Sequence, residues 1–171
     1  MDYIAELTND RSRANMDRLV KAIGDDPAEF KKIVDIIYQE EHPLPHRASW
    51  LLTIMSKIHP ELIAPYAAKF IDTVTGFNND GIKRHMLRAL TTQTLPEKSK
   101  GKAVDICFNF ILSPTETVAV KVFALEVLSN LMQQYPELKN ELKAAIEDQL
   151  PKTTAAFHSR AKIVLKKIST K

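Results

Sequence analysis

The sequence contains few of the residues on which several protein classes depend. Its 171 residues include a single cysteine, so an internal disulfide framework is excluded. Four glycines and few alternating β-branched residues argue against a sheet protein. No apolar run approaches the ~18 residues of a membrane-spanning helix, and the first residues show no basic flank followed by an apolar core. These absences favour a helical protein, for which we expect a cytoplasmic location.

A large excess of charge of one sign is also lacking. Lys and Arg number 24 against 21 Asp and Glu, and the net charge of +3 is too small to indicate nucleic acid binding by itself. The positive surplus lies in residues 151–171, which contain no acidic residue and these basic ones: Lys152, Arg160, Lys162, Lys166, Lys167 and Lys171. A basic last helix of this kind is typical of a solvated end cap, and it is also compatible with an acidic partner.

Sequence signatures of catalysis and of cofactor binding are absent as well. There is no Gly-x-Ser-x-Gly and no glycine-rich phosphate loop. His42 and His46 have a metal-ligand spacing, but Pro43 and Pro45 lie between them and no third ligand cluster follows. Cys107 lies in an apolar run, which indicates a buried small side chain and not a reactive thiol. We therefore predict no catalytic residue, no metal ion and no cofactor.

What the sequence does contain is a pattern that returns every 32 to 38 residues. Its anchors are Met16, Ala48, Met86, Ala124 and Ala161, and each begins a stripe that includes the residues three, four and seven positions later. Of these 20 positions 19 are apolar, whereas a hydrophobic content of 44% gives about nine by chance. Repeats of this period are typical of stacked helical hairpins, so we predict an all-α solenoid. Because the pattern runs nearly from end to end, we expect one domain over residues 1–171.

Prolines and turn residues divide the chain into five predicted antiparallel helix pairs. Residues 24–27, Gly-Asp-Asp-Pro, are typical of a helix stop followed by a capped helix start, and residues 76–81 are typical of a turn. We call the first helix of each pair the A helix and the second the B helix. The predicted pairs are 2–9 with 11–23, 27–40 with 46–58, 61–75 with 81–93, 97–112 with 116–134, and 137–149 with 154–168.

The B helices carry a finer motif, which consists of an apolar residue, a basic residue and, three residues further on, the anchor. It occurs as Ile82-Lys83-x-x-Met86 and as Val120-Lys121-x-x-Ala124. This motif resembles the second helix of HEAT repeats, in which Val-Arg-x-x-Ala precedes leucines, and Asp80 matches an Asp commonly found before it. The resemblance extends over essentially the whole chain. It implies a right-handed superhelix with the A helices outside and the B helices on the concave face.

The repeat register also predicts which side chains face the groove. Adding two residues to an anchor turns about 200° around the helix, away from the buried stripe, and we assign positions two before and five after an anchor to the same exposed side. The first three repeats then contribute a set that we call the basic patch: Arg18, Lys21, His46, Trp50, Arg84 and Arg88. The other positions assigned to this side are Ala14, Thr53, Thr91, Val122, Glu126, Ser129, Ser159, Ile163 and Lys166.

We interpret the basic patch as the binding site of an anionic partner segment. Arginine forms bidentate contacts with carboxylate or phosphate, and tryptophan is a frequent interface anchor. The opposing interpretation is that these are ordinary solvated charges and that Trp50 packs under the loop of residues 42–45.

Three functions are compatible with these features. HEAT and armadillo proteins mostly bind proteins, which favours a non-enzymatic module for a protein or peptide partner, as a monomer or, through an exposed Ile163, a weak dimer. A minority bind nucleic acid, including the alkylpurine DNA glycosylases, but these carry a catalytic Asp in the groove, where none is predicted here. All-α lyases of the fumarase and adenylosuccinate lyase superfamily are disfavoured, because their chains are far longer and their Ser-Ser-x-Met-Pro-x-Lys-x-Asn loop is absent.

Overall fold

The computed structural model describes residues 1–169, which form α-helices joined by short turns. The last two positions of the predicted domain, 170 and 171, lie outside the described residues, and Lys171 of the basic C-terminal segment is one of them. No strand occurs in residues 1–169, so the prediction of an all-α fold is confirmed. The helices are α1 (Tyr3–Asn9), α2 (Arg13–Ile23), α3 (Pro27–Gln39), α4 (Leu44–Ile58), α5 (Pro60–Ile63), α6 (Ala67–Thr73), α7 (Asp80–Leu90), α8 (Glu97–Leu112), α9 (Val118–Leu131), α10 (Lys139–Gln149) and α11 (Ala155–Ser169).

Short polar side chains begin several of these helices. Ser12 caps α2, Asp26 caps α3 and Asn79 caps α7, each through a side-chain oxygen that accepts a backbone N–H of the first turn. Gly24 follows α2 with a φ of 56°, a conformation that a residue without Cβ adopts without strain. The predicted helix boundary at residues 24–27 is therefore confirmed.

Prolines produce the main differences from the predicted helix bounds. The third A helix is predicted as continuous, but Pro65 has no N–H to donate, and a 3-10 turn over Ala64–Tyr66 separates α5 from α6. Pro45 does not interrupt its helix, because a proline in the first turn removes no helical hydrogen bond. As a result α4 begins at Leu44, two residues before the predicted start at 46.

The B helices are α2, α4, α7, α9 and α11, and most of them pack against the next one along the chain. Helix α4 packs against α7, α7 against α9 and α9 against α11, while the A helices α3 and α8 pack against α4 and α9. Of the 20 positions in the predicted apolar stripes, 17 are buried, and Gln93, Leu165 and Ile168 are partly buried. This succession of helical hairpins is the predicted α-solenoid. None of the helices in the described part combines the length and apolar character needed to traverse a bilayer.

Cys107 lies in the hydrophobic core on the inner side of α8. Its side chain has no exposed surface, and burial raises the pKa of the thiol to about 12. A thiol with this pKa stays protonated near neutral pH and is a weak nucleophile. The prediction of a buried small side chain is confirmed.

Candidate functional site

A large cavity lies among the B helices. Its volume is about 1190 Å³, against about 270 Å³ for a second cavity beside the start of α1. Helices α4, α7, α9 and α11 surround it, together with the turn before α2. We call it the groove cavity, and its lining residues are Arg11, Met16, His42, Pro43, His46, Arg47, Trp50, Arg84, His85, Arg88, Val118, Ala119, Val122, Phe123, Thr154 and Ala156.

The groove cavity brings together four of the six residues of the predicted basic patch, His46, Trp50, Arg84 and Arg88. Arg84 and Arg88 are separated by one turn of α7, so both side chains lie on the same face of that helix. Trp50 is half-buried, and its indole N–H makes no hydrogen bond within residues 1–169. The cavity thus combines two guanidinium groups with an aromatic surface that still has a hydrogen-bond donor to offer.

The remaining two residues of the basic patch do not line the cavity. The guanidinium of Arg18 turns toward α1, where it pairs with the Glu6 carboxylate and also donates to the Asn15 side chain at 2.7 Å. Lys21 is exposed near the end of α2, outside the cavity lining. The patch predicted as one surface is therefore divided, because an acidic residue of the first A helix holds Arg18.

Thr53 and Ser129 are also placed differently from the prediction, since both are buried. Each lies five residues after an anchor, on a side that a lone helix would expose to solvent. In the solenoid a neighbouring B helix covers that side, and the Thr53 hydroxyl lies 2.8 Å from Nδ1 of His85 on α7. The exposed strip of a B helix is consequently narrower than the geometry of a single helix suggests.

Three arginines that line the cavity have no carboxylate partner among the described residues. Salt bridges occur along most of the solenoid, yet none of those within residues 1–169 includes Arg11, Arg84 or Arg88. No Asp or Glu is among the residues that line the cavity. Its positive charge is therefore uncompensated by this part of the chain, and such a field attracts anions.

A fourth arginine, Arg47, belongs to the same lining but has a structural contact. Its guanidinium donates to the backbone carbonyl oxygens of Leu7 at 2.7 Å and Thr8 at 3.0 Å. These are carbonyls of the last turn of α1, which have no partner within that helix. Arg47 thus connects α4 to α1 and shares its charge between this contact and the cavity.

A buried histidine, His85, lies within hydrogen-bond distance of the Arg84 side chain. His85 lies with Nε2 3.2 Å from a terminal guanidinium nitrogen of Arg84, and its Nδ1 faces Thr53. A guanidinium only donates, so Nε2 accepts and we assign the proton to Nδ1, which donates to the Thr53 hydroxyl. Burial first, and then the charge of Arg84, lower the pKa of His85 to about 3. The ring is neutral near neutral pH, and the charge of the cavity is that of its arginines.

His46 forms a wall of the cavity through close contact with a glycine. A Cβ built on Gly81 would lie 2.3 Å from Nε2 of His46, so the ring fits in its position only because residue 81 has no side chain. Burial, and then the charge of Arg84, lower the pKa of His46 as well. His46 is therefore a predominantly neutral wall and not a further cation near neutral pH.

Sequence reasoning missed most of the second half of the cavity, which is apolar. Helix α9 contributes Val118, Ala119, Val122 and Phe123, of which only Val122 was assigned to the groove. The guanidinium of Arg88 lies 5.4 Å from the centroid of the Phe123 ring, within cation–π distance, where the two halves meet. A signal for this wall exists in the sequence, because α9 is apolar on more sides than one buried stripe requires.

His42 and His46 both line the groove cavity, but they do not form part of a larger ligand cluster. Across the described residues, no group of three or more His, Cys, Asp or Glu side chains is arranged to hold a metal ion. The lining of the cavity combines cationic and apolar side chains.

Comparison with known proteins agrees with this architecture. The sequence model of a family described as a HEAT repeat domain matches residues 3–168. No curated protein shows significant similarity to the chain. The match covers nearly the whole chain and confirms the resemblance that was based on the B-helix motif.

Proposed function

Because the chain belongs to the HEAT repeat family, a class of helical-repeat scaffolds, we propose that it is a non-enzymatic module that binds a protein partner through the groove cavity. The observation that carries this proposal is the pair Arg84 and Arg88, which have no carboxylate partner in the described chain and line the groove cavity. The B helices that bear them form the concave face of the solenoid in this proposal.

A partner protein satisfies two requirements of this surface at once. Like charges held close together repel one another, and carboxylates of a partner remove that repulsion while forming bidentate contacts with Arg84 and Arg88. Trp50 offers a rigid aromatic surface of the kind that dominates binding energy in protein interfaces. Within the basic patch, this assigns partner binding to the four cavity residues first, with Arg18 and Lys21 as outer contributors.

The two alternative functions have less support from the cavity. A glycosylase-like enzyme would need a catalytic carboxylate in the groove, and the lining contains neither Asp nor Glu. Binding to nucleic acid alone would use the arginines, but it would leave the apolar wall of α9 without a partner. A helical lyase would need the signature loop that the sequence lacks.

Site-specific photo-crosslinking in a lysate of the native host tests the proposal. The crosslinking residue p-benzoylphenylalanine replaces Thr154, an exposed residue on the cavity rim, or, as the control position, Glu141, an exposed residue of α10. After nuclease treatment we expect a protein adduct from position 154 and none from position 141. The adduct should disappear when Trp50→Ala, Arg84→Glu and Arg88→Glu are combined.

A matched variant controls for the change in net charge. Lys139→Glu with Lys143→Glu reverses two basic residues at the same spacing on α10, outside the cavity lining, and should leave the adduct unchanged. Equal adducts from positions 154 and 141, or an adduct that survives the triple variant, would contradict the proposal. Crosslinked nucleic acid in the absence of nuclease, with no protein adduct, would favour the nucleic acid alternative.

A further inference from the structure

The groove cavity has two chemically different halves, and we infer that its occupant is an acidic, amphipathic segment of a protein. Its carboxylates lie on the arginines of α7, and its apolar side chains lie against α9 and the start of α11. This inference rests on the proposed function and specifies the ligand of the same site.

The cationic half sets the charge of the segment. Arg84 and Arg88 project from α7, and Arg11 reaches the same cavity from the turn before α2, all three without a carboxylate partner in residues 1–169. Three guanidinium groups exceed what one carboxylate neutralises. A segment with at least two acidic residues matches this half by charge.

The apolar half sets the remaining composition of the segment. Val118, Val122 and Phe123 are only partly buried within the chain, so each keeps apolar surface toward the cavity. Ala119 and Ala156, which are small, leave space between these larger side chains. A purely polar acidic tract would leave this surface in water, whereas each apolar side chain buried against it strengthens binding by about tenfold or more.

The border between the two halves sets the spacing within the segment. Arg88 lies over the ring of Phe123, so the cationic and apolar surfaces are in direct contact. Neighbouring helices pack about 10 Å apart, which gives roughly 20 Å from α4 to α9. This span corresponds to about six extended residues or about 13 helical ones. Acidic and apolar residues therefore occur together within one short segment of the partner.

Peptide libraries of about 14 residues, a length that covers the span in either conformation, test the composition directly. The first library mixes Asp and Glu with Leu and Phe, the second mixes Asp and Glu with Ser and Gly, and the third mixes Asn and Gln with Leu and Phe. Each is labelled with fluorescein and titrated with the full chain by fluorescence polarisation, beside a labelled oligothymidylate. We expect the first library to bind about tenfold or more tightly than the second and the third.

Two pairs of substitutions assign each preference to its half of the cavity. Arg84→Gln with Arg88→Gln should remove the preference for acidic over amide residues, and Val122→Ser with Phe123→Ser should remove the preference for Leu and Phe. Lys139→Gln with Lys143→Gln, outside the cavity, should change neither preference. If the serine variant does not fold, the comparison of the first two libraries on the unmodified chain still decides whether the apolar half is used.

Several results would overturn the inference. Equal affinity for the first and second libraries would show that the apolar half does not contribute to binding. Equal affinity for the first and third libraries would show that the arginines do not contribute. Tighter binding of the oligothymidylate would assign the cavity to nucleic acid. If no library binds while the protein adduct at position 154 forms as expected, the chemistry of the ligand is wrong and the proposed function stands.

Discussion

Two edges of the same helix, α7, differ in whether their positive charges have a carboxylate partner. The paired edge contains Lys83, and the unpaired edge contains Arg84 and Arg88. Lys83 has a side chain only 12% exposed, and it pairs with Glu116 from the turn before α9 as well as with Asp80. Arg84, the next residue, faces the groove cavity and has no carboxylate partner in the described chain. One charge connects two repeats and the adjacent charge remains available. Adjacent positions thus differ: Lys83 forms an ion pair between repeats, and Arg84 belongs to the proposed binding site.

The same division extends to the neighbouring repeat and explains the basic residue of the B-helix motif. Lys121 occupies the motif position of Lys83 one repeat later, is buried, and donates to the Gln149 side chain at 2.6 Å. Both motif lysines therefore reach a residue beyond their own helix and link it to the following elements. The residues that the motif marks are inter-repeat contacts, and the candidate binding residues lie beside them.

The largest effect is expected from breaking the paired edge. Glu116→Gln leaves the Lys83 ammonium nearly buried with only the more exposed Asp80 nearby, so the free energy of unfolding should fall by about 2–3 kcal/mol. Urea denaturation followed by circular dichroism measures the change. Lys83→Met combined with Glu116→Leu removes both charges and should recover most of the loss. A double variant as unstable as Glu116→Gln alone would show that the contact contributes through shape and not through charge.

The next effect concerns His85, which lies beneath the unpaired edge. Its pKa is about 3 in the folded chain and near 6.5 when unfolded, so below about pH 6.5 only the unfolded chain takes up the proton. For each unit by which the pH is lowered below about 6.5, His85 should reduce the free energy of unfolding by about 1.4 kcal/mol. His46, whose pKa is also lowered, acts in the same direction. In denaturation series from pH 7.5 to pH 5, His85→Gln should give a flatter curve. A slope identical to that of the unmodified chain would contradict the burial of a neutral ring.

A smaller effect of opposite sign is expected from the unpaired edge itself. Arg84→Met with Arg88→Met removes two charges that repel each other and keeps apolar contact with Phe123. The free energy of unfolding should stay unchanged or rise by up to about 1 kcal/mol, while binding of acidic peptides is lost. Parallel urea denaturation and fluorescence polarisation give both quantities. A marked loss of stability would indicate that the arginines serve the fold, and the contrast between the two edges would disappear.

The smallest effect is expected at Arg18, which serves as a reference for an ordinary exposed ion pair. Its side chain is 50% exposed and pairs with Glu6, so Arg18→Ala should change the free energy of unfolding by less than about 0.5 kcal/mol. Peptide affinity should also change little, because Arg18 does not line the cavity. A loss of affinity comparable to that of Arg84→Gln with Arg88→Gln would extend the binding surface to α2.

The repeat architecture was accessible from sequence because it depends on local periodicity. The apolar stripes and the boundary at Gly24 follow from rules that act within one helix or one turn, and the structure confirms them. The lining of the groove cavity depends on which helices lie side by side. The burial of Thr53 by α7 and the pairing of Arg18 with Glu6 are tertiary contacts, which no single-helix projection contains.

The cavity lining illustrates the same limit from the other direction. Arg11 lies in a turn, outside any helical register, and it reaches the cavity only through the way α2 begins. Phe123 lies one residue before the anchor Ala124, at a position that the register of a single helix does not assign to the groove. The composition of the lining therefore depends on tertiary packing, whereas the two arginines of α7 follow from the repeat register.

The contact between His46 and Gly81 makes the shape of the groove cavity depend on a residue that bears no functional group. A side chain at position 81 would displace the imidazole of His46, which lines the cavity. Gly81→Ala would in this way reshape one wall while every arginine remained intact. A shift of the His46 ring resonances together with weaker peptide binding would report such a displacement, and unchanged resonances would show that the turn moves instead. One absent methyl group therefore determines where this wall of the cavity stands.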